Sequence, residues 1–156
     1  MGNDNCLIRI AEDNDLQGIM SLLVQLLPDD PIISDGRDRS VFNQIQRDPN
    51  LQLFVLTLDG TIISTCYLNI IPNLTRHASP YAVIENVITD ESMQRKGYGK
   101  QLIQFVLDYA WRAGCYKVML LSAIHRDDAH RFYEACGFDP NEKQSFVART
   151  AAFKHD

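Results

Sequence analysis

Asp59-Gly60 separates two runs, Leu51 to Leu58 and Thr61 to Ile71, that are rich in β-branched and aromatic residues. An Asp-Gly connector accepts the positive φ that a two-residue hairpin turn requires, so the spacing predicts an antiparallel strand pair. Upstream, Leu7 to Ile10 suits a short strand, and Glu12, Asp13, Asn14 and Asp15 suit a helix start. Leu16, Ile19, Met20, Leu23, Leu26 and Leu27 then recur at helical spacing until Pro28 ends the run. Residues 28 to 39 read as a polar loop on the substrate side, and Val41 to Gln46 as a short helix that ends before Pro49.

Downstream, residues 72 to 80 read as a loop. Tyr81 to Thr89 reads as a central strand buried on both faces and interrupted by Glu85. A helix is expected from about Gly99 to Ala113, with Leu102, Ile103, Val106, Leu107 and Ala110 inward and Gly114 as its stop. Tyr116 to Ser122 is the next expected strand. Asp127 and Asp128 favour the positive end of a further helix, whose stripe is Ala129, Phe132, Tyr133 and Cys136 and whose stop is Gly137. Ser145 to Phe153 completes the pattern as a final strand. The expected class is a single mixed α/β domain over residues 1–156, with a mostly antiparallel sheet flanked by helices.

Composition narrows the function classes. The chain has 156 residues, 46% hydrophobic and 22% charged, which suits one globular domain. Six prolines and eight glycines are too few for a disordered chain, and no apolar run approaches the roughly 18 residues of a membrane span. The charge, 15 basic minus 20 acidic residues, is −5, which argues against nucleic acid or an anionic membrane as partner. Cys6, Cys66, Cys115 and Cys136 fall in no CxxC pair, so no metal site is expected and the thiols read as small hydrophobes. With no basic-then-apolar leader, the cytoplasm is the expected compartment. Met1-Gly2 resembles a myristoylation start, but Cys6 stands where serine or threonine is required. The sequon Asn73-Leu74-Thr75 has no acceptor role in a chain that is not secreted.

The stretch Gln94-Arg95-Lys96-Gly97-Tyr98-Gly99, between the central strand and a helix, carries the most chemistry. Glycines at a helix start let amides approach an anion, the helix dipole adds positive potential, and Arg95, Lys96 and Lys100 add full charges. The same residues also suit a tight turn with solvated cations. A P-loop would need glycine at 94 and serine or threonine at 101, where Gln94 and Gln101 stand. A dinucleotide fingerprint would need glycine at 102 and an acid near 117, where Leu102 and Lys117 stand.

The order Glu85-Asn86-Val87-Ile88-Thr89, then Gln94 to Gly99, then Phe132-Tyr133-Glu134-Ala135-Cys136-Gly137-Phe138 resembles the GNAT superfamily of N-acetyltransferases, from Leu7 to about Phe146. The resemblance implies a GNAT fold and acetyl-coenzyme A as cosubstrate. It puts the pyrophosphate on the amides of Gln94, Arg95, Lys96, Gly97, Tyr98, Gly99 and Lys100, and the pantetheine arm along Val87, Ile88 and Thr89. It also makes Tyr133 the general acid that protonates the leaving thiolate, although a tyrosine on this stripe also suits a core role. Glu85, in an apolar strand, is the candidate general base, because burial raises a carboxylate pKa; a structural salt bridge is the competing reading.

Many family members carry asparagine where Arg126 stands, so that contact is missing. The run Arg126 to Tyr133 resembles members that acetylate aminoalkylphosphonates, whereas Ala113 to Val118 with Ile84 to Val87 resembles glucosamine 6-phosphate N-acetyltransferases. Both acceptors pair an amine with an anion, which makes Arg76, His77, His125, Arg126 and His130 candidate anion contacts. Each also suits a solvated surface. The expected activity is acetyl transfer to a small primary amine by direct attack, with a homodimer permitted by open strand edges. The rivals are a noncatalytic acyl-coenzyme A sensor and an enzyme acting on a peptide, a polyamine or an antibiotic, the last two favoured by Asp29, Asp30, Asp35 and Asp38.

Overall fold

In the computed structural model, which describes residues 5–153, the elements follow in chain order: β1 (Cys6–Ile10), α1 (Leu16–Leu26), α2 (Arg37–Arg47), β2 (Leu51–Leu58), β3 (Thr61–Ile71), β4 (Tyr81–Thr89), α3 (Tyr98–Arg112), β5 (Val118–Leu120) and α4 (Asp127–Ala135). The chain divides into two compact units, residues 1–120 and 121–156. The first holds a five-stranded sheet in the order β1-β2-β3-β4-β5, antiparallel except for the parallel β4–β5 pair. The hairpin is the one the Asp-Gly connector demands, with φ of 49° at Asp59 and 82° at Gly60.

Alternation along the strands sends side chains to two helical layers. On one face Leu53 and Val55 pack with Ala11, Leu16, Ile19 and Phe42, and Tyr67 lies against that cluster. On the other, Phe54 is fully buried and meets two rings of α3 edge-on, Phe105 at 5.9 Å and Tyr109 at 5.1 Å. Burying an aromatic of this size contributes about 1.5–3 kcal/mol. The helix ends where the glycine stop was expected: the Gly114 amide bonds to Trp111 O and the Cys115 amide to Ala110 O, the two bonds of a Schellman cap.

The β1–α1 connection is locked by one ion pair. Arg9 donates from Nη1 and Nη2 to Asp15, at 2.5 and 3.1 Å, and Asp15 also accepts the Glu12 amide at 2.7 Å. The Arg9 guanidinium, followed by the Glu12 amide, holds the Asp15 carboxyl below the usual carboxylate range against an opposing burial penalty.

Four expectations are corrected. The final strand over Ser145–Phe153 does not form: residues 145–150 have no regular structure, Ala151–Phe153 is a 3₁₀ turn, and Phe146 is 87% exposed. Strand propensity needs a partner to pair with, and the described part of the 121–156 unit contains no strand. β5 is shorter than Tyr116 to Ser122, because its register with β4 covers only Ala82–Ile84. The second helix starts earlier than Val41, at Arg37, directly after Gly36 with φ 82°. β4 is not buried on both faces: Ala82 and Ile84 are buried, whereas Glu85 is exposed. The lipidation reading at Met1-Gly2 lies outside the described residues. No helix among them is long and apolar enough to cross a membrane.

Candidate active site

The site begins where β4 changes partners. β5 pairs with β4 only through Ile84, while β3 continues alongside it to Thr89. From Glu85 onward the outer edge of β4 therefore has no ladder partner among the described residues. The same point carries a bulge. Thr65 pairs with Ile88 and Tyr67 with Glu85, so Asn86 and Val87 together oppose Cys66, and Asn86 takes φ 51°. Asparagine tolerates that left-handed conformation better than a β-branched residue would.

Glu85 is the cross-strand neighbour of Tyr67, so it leaves the sheet on the face where α1 and α2 pack. Its exposure removes the burial on which its reading as a base rested. Tyr67, which sequence reasoning missed, is half-buried here: burial pushes its phenol up, and a hydrogen bond with the Asn86 side chain opposes that shift. An asparagine after the only acid of an apolar strand was the signal for the bulge. Opposite it, Cys66 is fully buried and its thiol is pushed up to about 12, which keeps it protonated and poorly nucleophilic.

Past Thr89 the chain turns into α3 through a 3₁₀ turn, Glu91–Met93. Gln94 folds back, its Nε2 donating to Thr89 O at 3.0 Å, and Ser64 Oγ donates to Ile88 O at 2.9 Å. Two of the three carbonyls in Val87–Thr89 are thus already engaged. Arg95 and Gly97 have φ of 61° and 89°. The amides of Gly97, Tyr98, Gly99 and Lys100 precede the first intrahelical bond, from the Gln101 amide to Gly97 O, and no group among the described residues accepts from them. Arg95, Lys96 and Lys100 are exposed and form no ion pair among the described residues. This helix start can hold a multiply charged anion, and the strand edge leading to it can hold an extended amide-bearing chain.

In the 121–156 unit, Tyr133 lies on the last turn of α4, half-buried between Phe132 at 5.2 Å and Phe138 at 6.1 Å between ring centroids. The cap explains why these residues travel together. Gly137, φ 98°, donates to Glu134 O, and the Phe138 amide donates to Tyr133 O at 3.1 Å. This is a Schellman motif whose apolar contact joins Phe138 to Tyr133 and so fixes the ring that the sequence singles out. Arg126 precedes α4, and His130 Nε2 donates to Ala123 O at 2.9 Å, closing the turn before the helix. His125 and Arg126 are exposed.

Arg76 and His77 lie elsewhere. Both have positive φ in the β3–β4 loop, and the Arg76 guanidinium stacks 5.8 Å from the Tyr116 ring centroid. They precede Tyr81, which is four residues from Glu85 along β4, roughly 13 Å at about 3.3 Å per residue. Within the 1–120 unit they are not brought to the bulge or to the glycine loop.

Comparison with known proteins agrees with this geometry. The model of the acetyltransferase (GNAT) family matches residues 16–138. The chain is 30% identical over 139 residues to glucosamine 6-phosphate N-acetyltransferase of Trypanosoma brucei brucei, covering 88% of this chain and 91% of that protein. It is 28% identical to aminoalkylphosphonate N-acetyltransferase of Salmonella typhimurium, covering 94% and 91%. A solved structure of a putative acetyltransferase from Agrobacterium tumefaciens superposes with a TM-score of 0.89 at 42% identity, covering 92% of this chain and 99% of that one. The chain belongs to the acetyltransferase (GNAT) family and is an N-acetyltransferase whose acetyl donor is acetyl-coenzyme A.

Proposed function

We propose that this chain acetylates the primary amine of a small molecule that also carries an anionic group, by direct attack of the amine. The observation that carries the donor side is the open edge of β4 running into a helix start with unclaimed amides and cations. Acetyl-coenzyme A supplies the activated thioester carbonyl. Gln94 to Lys100 hold the pyrophosphate, and the edge Val87, Ile88 and Thr89 aligns the pantetheine arm. Cys66, beside the bulge, is kept protonated, which favours direct transfer over an acylated thiol. Glu85 takes the amine proton directly or through water, its place beside the bulge and not its burial supporting the role. Tyr133 Oη returns a proton to the departing sulfur.

The relatives named for glucosamine 6-phosphate and aminoalkylphosphonates support an acceptor with both an amine and an anion. Arg126, His125 and His130 are the first candidates for that anion. Arg76 and His77 rank below them, because they lie at the far end of β4. Both units belong to one catalytic domain on this reading, supported by a family match that spans residues 16–138 across their boundary. The enzyme acts in the cytoplasm, in keeping with its free thiols, and as a homodimer, in keeping with the outer edge of β1.

A cationic acceptor has one observation in its favour. Asp29 and Asp30 have no ion-pair partner among the described residues, whereas Asp35 is matched by Arg37 at 2.7 Å. Thiol release from acetyl-coenzyme A with glucosamine 6-phosphate, aminoalkylphosphonates, polyamines, aminoglycosides and short peptides decides between the acceptors. Turnover confined to a phosphorylated or phosphonate amine supports the proposal. Turnover confined to polyamines or aminoglycosides overturns the anionic part of it.

A further inference from the structure

We propose that Gln25 is a positioning residue for coenzyme binding, acting from the end of α1 on the turn that carries β4 into the glycine loop. The inference rests on the coenzyme site proposed above. Gln25 Nε2 donates to Asp90 Oδ2 at 2.9 Å, and Gln25 Oε1 accepts the Glu91 amide at 3.1 Å. One side-chain amide thus uses both of its ends on two consecutive residues far along the chain. Asp90 is the organiser of that turn. Its Oδ1 accepts the amide and the hydroxyl of Ser92, its carbonyl accepts the Met93 amide, and its own amide donates to Ile63 O at 2.8 Å. The Gln25 amide, followed by Ser92, holds the Asp90 carboxyl below the usual carboxylate range, so it is ionised at neutral pH.

The turn needs an outside anchor. Gln94 bonds back to Thr89 O at the end of β4, which ties the turn only to the strand it leaves, and the Lys96 Nζ to Met93 Sδ contact lies within the loop. Beyond the bond to β4, the hydrogen bonds among the described residues that tie the Asp90–Gln94 stretch to other elements are those to the Ile63 carbonyl and to Gln25. The amides of Gly97 to Lys100 follow directly, and their value to an anion depends on their being aimed before it arrives. Gln25 supplies that aim without touching the coenzyme.

The test is binding of coenzyme A by calorimetry together with steady-state kinetics on the full chain. Gln25→Ala removes a neutral and a charge-assisted hydrogen bond at an exposed site, and is expected to weaken coenzyme A by about five- to tenfold. The KM for acetyl-coenzyme A rises in parallel, while kcat at saturation stays within about twofold of the parent. Gln25→Glu sets two carboxylates against each other and weakens binding further. The exchanged pair, Gln25→Glu with Asp90→Asn, restores it: the new side-chain amide at position 90 donates to the new carboxylate at position 25, whose second oxygen accepts the Glu91 amide. Rescue by the exchange separates positioning from general damage to the fold. Unchanged coenzyme A affinity in Gln25→Ala, or an exchange that binds no better than Gln25→Glu alone, overturns the inference. A parent protein that binds no coenzyme A overturns the site itself, a separate result.

Discussion

Replacing Gly97 by alanine isolates the backbone contribution to coenzyme binding. Gly97 sits at φ 89°, and a Cβ built there meets nothing within 4 Å, so the substitution introduces strain without a clash. An L-residue in the left-handed region costs about 1–2 kcal/mol. That cost has two outlets. If the loop stays in place, stability falls by the full amount, which lowers the melting temperature by about 2–8 °C for a chain of this size. If φ relaxes to negative values, stability recovers, but the amides of Tyr98, Gly99 and Lys100 turn from the anion and coenzyme A binding falls by about 5- to 30-fold. The losses in stability and in binding therefore sum to about 1–2 kcal/mol, in whatever proportion they divide. Gly60 is a matched control, with φ 82° and open space around its Cβ, in the β2–β3 turn. Gly60→Ala is expected to lower stability by a similar amount with coenzyme A affinity untouched. Thermal unfolding and titration calorimetry on the two variants give all four numbers. The reasoning fails if Gly97→Ala changes neither quantity, or if Gly60→Ala weakens coenzyme A as much.

Three further outcomes follow from other parts of the molecule. Tyr133→Phe keeps the ring contacts with Phe132 and Phe138 and removes the hydroxyl, so kcat should fall by about 10²-fold with coenzyme A affinity unchanged, measured by thiol release and calorimetry. Asp15→Asn breaks a bidentate pair whose side chains are 27% and 10% exposed, and should cost about 2 kcal/mol at neutral pH by chemical denaturation. Because the folded carboxyl is depressed, its stabilisation is complete above the unfolded value near 4 and is lost as pH falls through the folded one, so parent and variant should converge in acid. Cys66, fully buried with its thiol at about 12, should resist alkylation at pH 8 in the native protein while exposed Cys6 reacts, as read by peptide mass spectrometry.

Legibility from sequence followed the range of the interaction that decides each feature. The β2–β3 hairpin, the α3 stop at Gly114 and the α4 stop at Gly137 are set by residues within a turn of one another, and each stands where local chemistry puts it. The glycine loop was legible for the same reason. Where β5 lets go of β4 was not, because pairing that stops at Ile84–Leu120 is decided by residues far apart in the chain. The Ser145 to Phe153 run shows the same limit: its residues favour a strand, but propensity cannot supply the neighbour that would make one. Glu85 misled because an acid among apolar neighbours reads as buried in one dimension, while its exposure is decided by which distant elements cover that stretch of β4. Gln25 carried no local signal at all, since its meaning lies in a contact with Asp90.

The two-for-one bulge at Asn86–Val87 shifts the phase of the strand. Before it, Glu85 shares a face with Tyr67; after it, Ile88 pairs with Thr65, which lies on that same face of β3, so odd and even positions exchange sides across the bulge. Deleting Asn86 would leave Val87 alone opposite Cys66 and Ile88 still opposite Thr65, so simple alternation would return with the faces of Ile88 and Thr89 unchanged. What would go is the left-handed residue and the local kink it makes, not the register of the strand that leads to the glycine loop. The bulge absorbs one residue of chain length just before the coenzyme side begins.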